Sequence, residues 1–177
     1  MKSPVSARPK IYRIAMVAMF IAIHVILSMV PSEISWASLP VLVCAFLLGP
    51  IDTVTVAVIG SFIEQLQYGI NVATIFWILP WLIFGLVAGF LAWFIRRGDE
   101  RVWKIVVVVA VSELVLNIAN TTALLGFGYV AVDFSAPHLV LLAFLVRMPH
   151  AIIRAVLSSV VIPLLVRPLR RTVERLR

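Results

Sequence analysis

The stretch TIFWILPWLIFGLVAGFLAWFI, from Thr74 to Ile95, decides the fold class, because its 22 residues include no charged side chain. A helix needs about 20 mainly apolar residues to cross the hydrocarbon core of a bilayer. The whole chain is similar: 63% of its residues are hydrophobic and 13% are charged, against about 25% charged in soluble domains. The mean hydropathy of +1.11 agrees. The sequence therefore predicts an all-α, polytopic membrane protein surrounded by the lipid bilayer.

Apolar runs on both sides of this stretch predict five further membrane-spanning helices. The second and third runs are separated by GPID at residues 49–52, where proline cannot continue a helix and glycine relaxes the turn. No soluble domain or internal repeat interrupts the runs, so residues 1–177 are predicted to form one membrane domain. The six predicted spans are Ile11–Val30, Trp36–Leu48, Ile51–Tyr68, Thr74–Ile95, Val102–Leu125 and His138–Val166.

Positive charge is concentrated on one predicted side of the membrane. Of the 15 Lys and Arg residues, 13 lie at the start of the first span, around the junction of the fourth and fifth spans, or after the sixth span. An even number of spans puts these segments on one side, and the opposite loops contain no Lys or Arg. The positive-inside rule therefore predicts cytoplasmic termini in the cell membrane. The net charge of +7 reflects this topology and does not indicate nucleic-acid binding.

Two polar stripes interrupt the fifth and sixth spans. Each stripe has helical spacing of three and four residues, so its members share one face. If the two spans are antiparallel neighbours, the residues of the two stripes lie in pairs at the same depth in the membrane. The matched pairs are Asn120 with Arg147, Asn117 with His150, and Glu113 with Arg154.

Charged groups inside a membrane are retained where they pair or face a cavity. Glu113 and Arg154 are therefore interpreted as a structural ion pair, with a role at a substrate site as the alternative. Arg147 is matched only by a neutral amide, which makes it the better candidate to bind a ligand. His150 fits either a ligand contact or a buried, hydrogen-bonded histidine.

A second group of polar and aromatic residues lies at the outer end of the third and fourth spans. Tryptophan and tyrosine there also fit an interfacial aromatic belt. A carboxylate gains nothing from that interface, so Glu64 favours a binding pocket instead. We expect these side chains to form one outward-facing pocket together with Asn117, Asn120, Arg147 and His150. The members from this end are Glu64, Gln65, Tyr68, Asn71, Trp77 and Trp81.

Motifs of the common catalytic and metal sites are missing from the sequence. It contains no G-x-x-x-x-G-K-[ST], H-E-x-x-H or G-x-S-x-G motif, and its three histidines show no metal-ligand spacing. Its single cysteine, Cys44, excludes an intramolecular disulfide. The sequence therefore predicts neither catalysis, nor a cofactor, nor a metal site.

The first span carries an alanine stripe formed by Ala15, Ala18 and Ala22, the last two as a small-xxx-small pair. Small residues let another helix approach closely. The stripe therefore predicts a docking face for a partner helix, with packing inside the same chain as the alternative.

These features together resemble the substrate-binding S components of energy-coupling-factor (ECF) vitamin transporters. The resemblance rests on the six spans, the alanine stripe, the run LPVLVCAFLLGP closing at Gly49-Pro50, and the polar pocket. The element Arg147-Met148-Pro149 is similar to that of the folate and pantothenate groups.

The resemblance implies a mechanism without chemistry in this subunit. It implies high-affinity binding of a vitamin from outside, followed by association with a transmembrane coupling subunit and two ATPase subunits. The alanine stripe would dock on the coupling subunit, and the segments Pro31–Trp36 and Gly69–Thr74 would gate the pocket. The S component would then topple in the membrane to release its substrate inside.

The substrate stays open between two kinds of molecule. Arg147 favours an anion such as a folate or pantothenate, whereas Glu64 fits an amine or a pterin-like edge. A non-transport scaffold or assembly subunit is the alternative function, in which the polar stripes serve stability alone. A self-sufficient secondary transporter is a further alternative, although six spans without repeats make a small alternating-access body.

Overall fold

The computed structural model describes residues 8–30, 35–96, 101–126 and 137–176. These residues form helices and contain no strand, which confirms the predicted all-α class. Most boundaries fall within three residues of prediction, but the last helix runs ten residues beyond Val166. The helices are α1 Arg8–Met29, α2 Ser38–Leu47, α3 Pro50–Leu66, α4 Val72–Arg96, α5 Val102–Gly126 and α6 Pro137–Leu176.

Four of these helices contain segments long and apolar enough to cross a membrane: Ile11–Met29, Val72–Arg96, Val102–Gly126 and His138–Arg171. Helix α2 is apolar but has only 10 residues. At 1.5 Å per residue it extends about 15 Å, half the thickness of a hydrocarbon core. The fold is therefore that of a multi-pass membrane protein, and the count of six complete crossings stays a prediction.

Helix α2 lies at the centre of the bundle. It contacts α1, α3, α4 and α6, and every one of its residues except Leu39 is buried. Its sequence SLPVLVCAFL is apolar on all sides, as expected for a helix enclosed by other helices. The short central helix thus sets the positions of its longer neighbours.

The junction between α2 and α3 is held by arginines from distant parts of the chain. Gly49 has φ of 132°, a conformation that side-chain-bearing residues rarely adopt, and Pro50 then begins α3. Arg96 Nη1 donates to the Leu47 carbonyl at 3.2 Å, and Arg170 Nη2 donates to the Phe46 carbonyl at 2.8 Å. Cations at a helix C-terminus also complement its dipole.

The start of α1 reaches the same end of the molecule. Arg13 Nε donates to both carboxylate oxygens of Asp52, at 3.0 and 2.8 Å. The beginnings of α1 and α3 and the C-terminal parts of α4 and α6 therefore gather at one end, which we call the basic end. The turn between α3 and α4 lies at the other end, one helix length away along both α3 and α4.

Two glycines let α3 and α4 approach each other closely. A Cβ at Gly85 would lie 3.1 Å from Val54 Cα, and a Cβ at Gly89 would lie 2.6 Å from Pro50 Cα. The two glycines stand four residues apart on one face of α4, as in a G-x-x-x-G packing motif. The close contact of α3 with α4 therefore depends on residues without side chains.

Substitution Gly89→Ala is expected to lower the free energy of unfolding by about 1–3 kcal/mol, because the new methyl group would overlap backbone atoms of α3. Gly126→Ala is the matched control, since a Cβ there meets nothing within 4 Å. Unfolding of both variants in detergent, followed by circular dichroism, measures the difference. Equal stability of Gly89→Ala and the wild type would contradict the close packing.

Candidate functional site

A cavity of about 440 Å³ opens at the α3–α4 turn, at the end opposite the basic end. It brings together five residues predicted as substrate-binding: Glu64 and Gln65 from α3, Tyr68 and Asn71 from the turn, and Trp77 from α4. Gly69 and Ala73 complete the described lining. We call this cavity the turn pocket.

Local hydrogen bonds shape the turn pocket. The Tyr68 amide donates to the Gln65 carbonyl at 3.0 Å, and Gly69 follows with φ of 82°, which reverses the chain. The amide of Asn71 donates to Thr74 Oγ1 at 3.1 Å, and the Thr74 amide donates back to the Asn71 carbonyl at 3.0 Å. The turn therefore has a defined, hydrogen-bonded conformation that holds polar side chains around an opening.

Trp81 was predicted to belong to the same pocket, but it is not among the described residues that line it. It lies one helical turn deeper, where its ring packs edge-on against His24 with centroids 4.6 Å apart. It also packs against the buried ring of Phe84, at 5.7 Å. Trp81 therefore packs in the core beneath the turn pocket in this structure.

His24 connects α1 with the start of α2. Its Nδ1 atom lies 2.8 Å from the Ala37 carbonyl oxygen. Because a carbonyl oxygen only accepts, Nδ1 carries the proton, and in the neutral ring Nε2 is then the bare nitrogen. Nε2 is buried and has no hydrogen-bond partner among the described residues. Gly60 leaves room for the ring, since a Cβ there would lie 2.5 Å from His24 Cδ2.

The second polar group surrounds Glu113, whose exposure is 0%. Arg154 Nε donates to Glu113 Oε2 at 2.5 Å, in the pair expected from depth matching. Ser38 donates to Oε1 at 2.6 Å, and Ser158 donates to the same oxygen at 3.3 Å. One buried carboxylate thus joins α2, α5 and α6, and this set of four side chains is the Glu113 cluster.

The rest of the α5 and α6 stripes differs from the predicted pairing. Asn117 is buried, and its Nδ2 atom lies 3.9 Å from Met148 Sδ instead of facing His150. His150 is exposed, on the outer side of α6. Asn120 is half-buried; Arg147 is also half-buried, and its buried Nε has no hydrogen-bond partner among the described residues.

The predicted single pocket is therefore divided in the structure. Helix α4 contacts both α3 and α5, so it stands between the turn pocket and the α5–α6 stripes. The residues on the far side of α4 are not among those described as lining the turn pocket. They are Asn117, Asn120, Arg147 and His150.

A third feature is an apolar groove of about 470 Å³ between α4 and α5. Its lining includes Pro80 and Ile83 from α4 and Ala119 and Ala123 from α5. The sequence did not lead us to predict this groove, although Ala119 and Ala123, two small residues four positions apart on α5, indicate a groove on that face. Its described lining includes no charged side chain, so the groove is suited mainly to apolar contacts.

The alanine stripe of α1 faces away from the bundle. Met16, Phe20 and His24 are buried at four-residue spacing, and they fix the inner face of the helix. Three residues on other faces are exposed: Ala15, Ala18 and Ala22. Within the described part of the chain, the stripe is therefore exposed on the outer surface of the bundle and does not pack α1 against the other helices.

Comparison with known proteins agrees with the geometry. A family model described as "ECF transporter, substrate-specific component" matches residues 12–166, nearly the whole chain. No curated protein matches the chain. The family comprises substrate-binding transporter subunits rather than enzymes, and its members work with a transmembrane coupling subunit and ATPase subunits. The chain belongs to the substrate-specific components of ECF transporters.

Proposed function

We propose that this subunit binds a vitamin or related micronutrient with high affinity for an ATP-driven importer of the cell membrane. The observation that carries the proposal is the turn pocket, which opens at the end opposite the basic end. Basic residues favour the cytoplasm. With both termini cytoplasmic, the pocket faces outward, where a solute would be captured.

The subunit itself performs no chemistry in this proposal. Two ATPase subunits supply the energy, and the transmembrane coupling subunit contacts α1 through the exposed Ala15, Ala18 and Ala22. The segment Gly69–Thr74 gates the pocket, together with the predicted gate Pro31–Trp36, of which residues 31–34 lie outside the described residues. Toppling of the whole bundle then releases the solute inside. The Glu113 cluster bonds α2, α5 and α6 to one another, so these helices are suited to move as one body.

Purification with and without the coupling and ATPase subunits tests the proposal. Mass spectrometry of the denatured protein is expected to reveal a stoichiometric small molecule, and the tagged subunit is expected to retain the ATPases. A protein that binds no solute and recruits no ATPase would fail this test. Uptake that follows a proton or sodium gradient without any ATPase would instead favour a secondary transporter.

Arg147 is proposed as a second contact, for an anionic part of the solute that extends from the turn pocket across α4 to the α5–α6 side, as in the folate or pantothenate groups. Arg147→Ala is expected to leave the unfolding midpoint unchanged, because no described carboxylate pairs with this arginine. Solute affinity is expected to fall about tenfold, the effect of one hydrogen bond to a charged group. Isothermal titration calorimetry of the wild type and the variant measures it.

The scaffold function makes the opposite prediction for Arg147→Ala. There the arginine would serve stability alone, so the unfolding midpoint would fall and no solute would bind to either protein. Arg147→Lys is a useful companion variant, because it keeps the charge but loses the planar guanidinium fork. Unchanged affinity in both variants would remove Arg147 from the binding site.

A further inference from the structure

We infer that the solute of the turn pocket is a flat, nitrogen-rich ring that presents a positive charge or neighbouring N–H donors to Glu64 and stacks on Trp77. The inference rests on the proposed function and narrows it, because it names the chemistry that this pocket recognises. Three observations support it: the pairing of the described carboxylates, the charge of the pocket lining, and the aromatic face of the pocket.

The first support is the unequal pairing of the carboxylates. The structure describes the side chains of three acidic residues: Asp52, Glu64 and Glu113. Asp52 pairs with Arg13, and Glu113 pairs with Arg154 and two serines. Among the described residues, Glu64 has no basic partner. Glu64 also lines the turn pocket.

The hydrogen bonding of Glu64 is also incomplete. The Ser28 hydroxyl lies near this carboxylate. That hydroxyl has a single proton, which it donates to the Val25 carbonyl at 2.8 Å. The Glu64 carboxylate lines the open turn pocket and retains acceptor capacity that a solute can use. A solute that brings N–H groups or a positive charge to Glu64 completes its hydrogen bonding.

The second support is the absence of positive charge from the other described lining residues. The seven described lining residues include no Lys, Arg or His. Gln65 and Asn71 offer amides that can accept or donate, whereas an ionised carboxylate only accepts. An anionic solute would therefore meet Glu64 without a compensating cation in the described lining. A donor-bearing edge fits all three side chains at once.

The third support is the aromatic face and the size of the cavity. Trp77 is half-buried in the lining, and tryptophan is the best aromatic partner for a cation held against its face. Tyr68 is 71% exposed and leaves the mouth open. About 440 Å³ lies within the range of small-molecule sites, and it accommodates a one- or two-ring head group.

This chemistry distinguishes the two substrate groups considered above. A folate carries a pterin ring with adjacent N–H donors, and its carboxylates lie apart from that ring. Pantothenate is an acyclic anion and has neither a ring for Trp77 nor a cation for Glu64. The turn pocket therefore favours a ring-bearing solute.

Titration of three probes into the full-length subunit in lipid nanodiscs tests the inference. The probes are thiamine as a ring cation, pterin as a neutral donor-bearing ring, and pantothenate as an acyclic anion. At least one ring probe is expected to bind, and Glu64→Gln and Trp77→Leu are each expected to weaken it roughly tenfold to a hundredfold. Which ring probe binds distinguishes a cationic solute from a neutral donor.

Two matched variants control for damage near the membrane surface. Gln67→Ala alters an exposed residue that is not among the described lining, two positions from Gln65. Trp103→Leu removes an exposed tryptophan of α5. Both are expected to bind the ring probe with wild-type affinity. Equal losses in the controls and in the pocket variants would overturn the assignment of Glu64 and Trp77.

Mass spectrometry of the solute that co-purifies with the subunit gives a result even where no probe binds. A ring compound that Glu64→Gln loses supports the inference. An acyclic anion, or any solute held equally by Glu64→Gln, overturns the inference and leaves the proposed function standing. The absence of any bound solute, together with failure to recruit an ATPase, contradicts the proposed function itself.

Discussion

Replacement of Glu113 by alanine is expected to lower the free energy of unfolding by about 3–5 kcal/mol, the effect typical of breaking a buried ion pair. Glu113 is fully buried and accepts from Arg154, Ser38 and Ser158. Removing the carboxylate leaves a largely buried guanidinium without its counter-ion, because the Arg154 side chain is only 14% exposed. Thermal unfolding in detergent, followed by size-exclusion chromatography, measures the loss.

A double substitution separates the charge from the packing. Glu113→Leu with Arg154→Leu removes both charges, and it is expected to recover a large part of the stability lost in Glu113→Ala. Asp52→Asn serves as the control, because its partner Arg13 has a side chain that is 55% exposed and the pair is screened by solvent. A loss of about 1 kcal/mol or less is expected there.

Two results would contradict this account of the Glu113 cluster. The first is a wild-type unfolding midpoint in Glu113→Ala, which would mean that the cluster contributes nothing to the fold. The second is a double variant less stable than Glu113→Ala, which would mean that Arg154 has partners more important than Glu113. Solute affinity measured on the same samples shows whether the cluster also supports the turn pocket.

The helices were predictable from the sequence because their signal is local. Long apolar runs gave the bounds of α4 and α5 within about two residues, and Gly49-Pro50 marked the break before α3. The end of α6 was not predictable in this way. Pro163 and Pro168 lie inside the helix, and Arg170 bonds to the Phe46 carbonyl of α2, a contact that no pattern within α6 reveals.

The candidate site was predictable where it depends on neighbours in sequence. Glu64 to Trp77 lie within 14 residues of one another, so one turn between two helices brings them together. The register of Glu113 with Arg154 followed from helical spacing and an antiparallel connection. Periodicity does not say which helices meet, and the position of α4 divided the predicted pocket.

Two details needed the three-dimensional packing. His150 shares a stripe with Arg147 by spacing, yet a shift of about 60° around α6 is enough to expose it. The G-x-x-x-G pair of Gly85 and Gly89 was present in the sequence and indicates a close helix contact, but its partner, the start of α3, is visible only in the fold.

Substitution Ala18→Leu is expected to lower uptake strongly while it leaves solute binding intact. Ala18 is exposed at the centre of the α1 stripe, so a larger side chain is expected to disturb no contact with the residues that the structure describes. It would hold a partner helix away from the α1 backbone, where small residues permit close approach. Overpacking of about 1–3 kcal/mol corresponds to a roughly tenfold to hundredfold weaker association.

Three measurements on Ala18→Leu distinguish docking from folding and binding. Uptake by whole cells and retention of the ATPase subunits on the tagged protein are expected to fall together, whereas the affinity for the solute stays at the wild-type value. Val160→Phe is the matched control, because Val160 is 59% exposed on α6 and the change also adds bulk toward the lipid. Its uptake is expected to be normal.

Full uptake by Ala18→Leu would show that α1 does not dock through this stripe. Equal loss of uptake in both variants would point to a nonspecific effect of bulk on the membrane-facing surface.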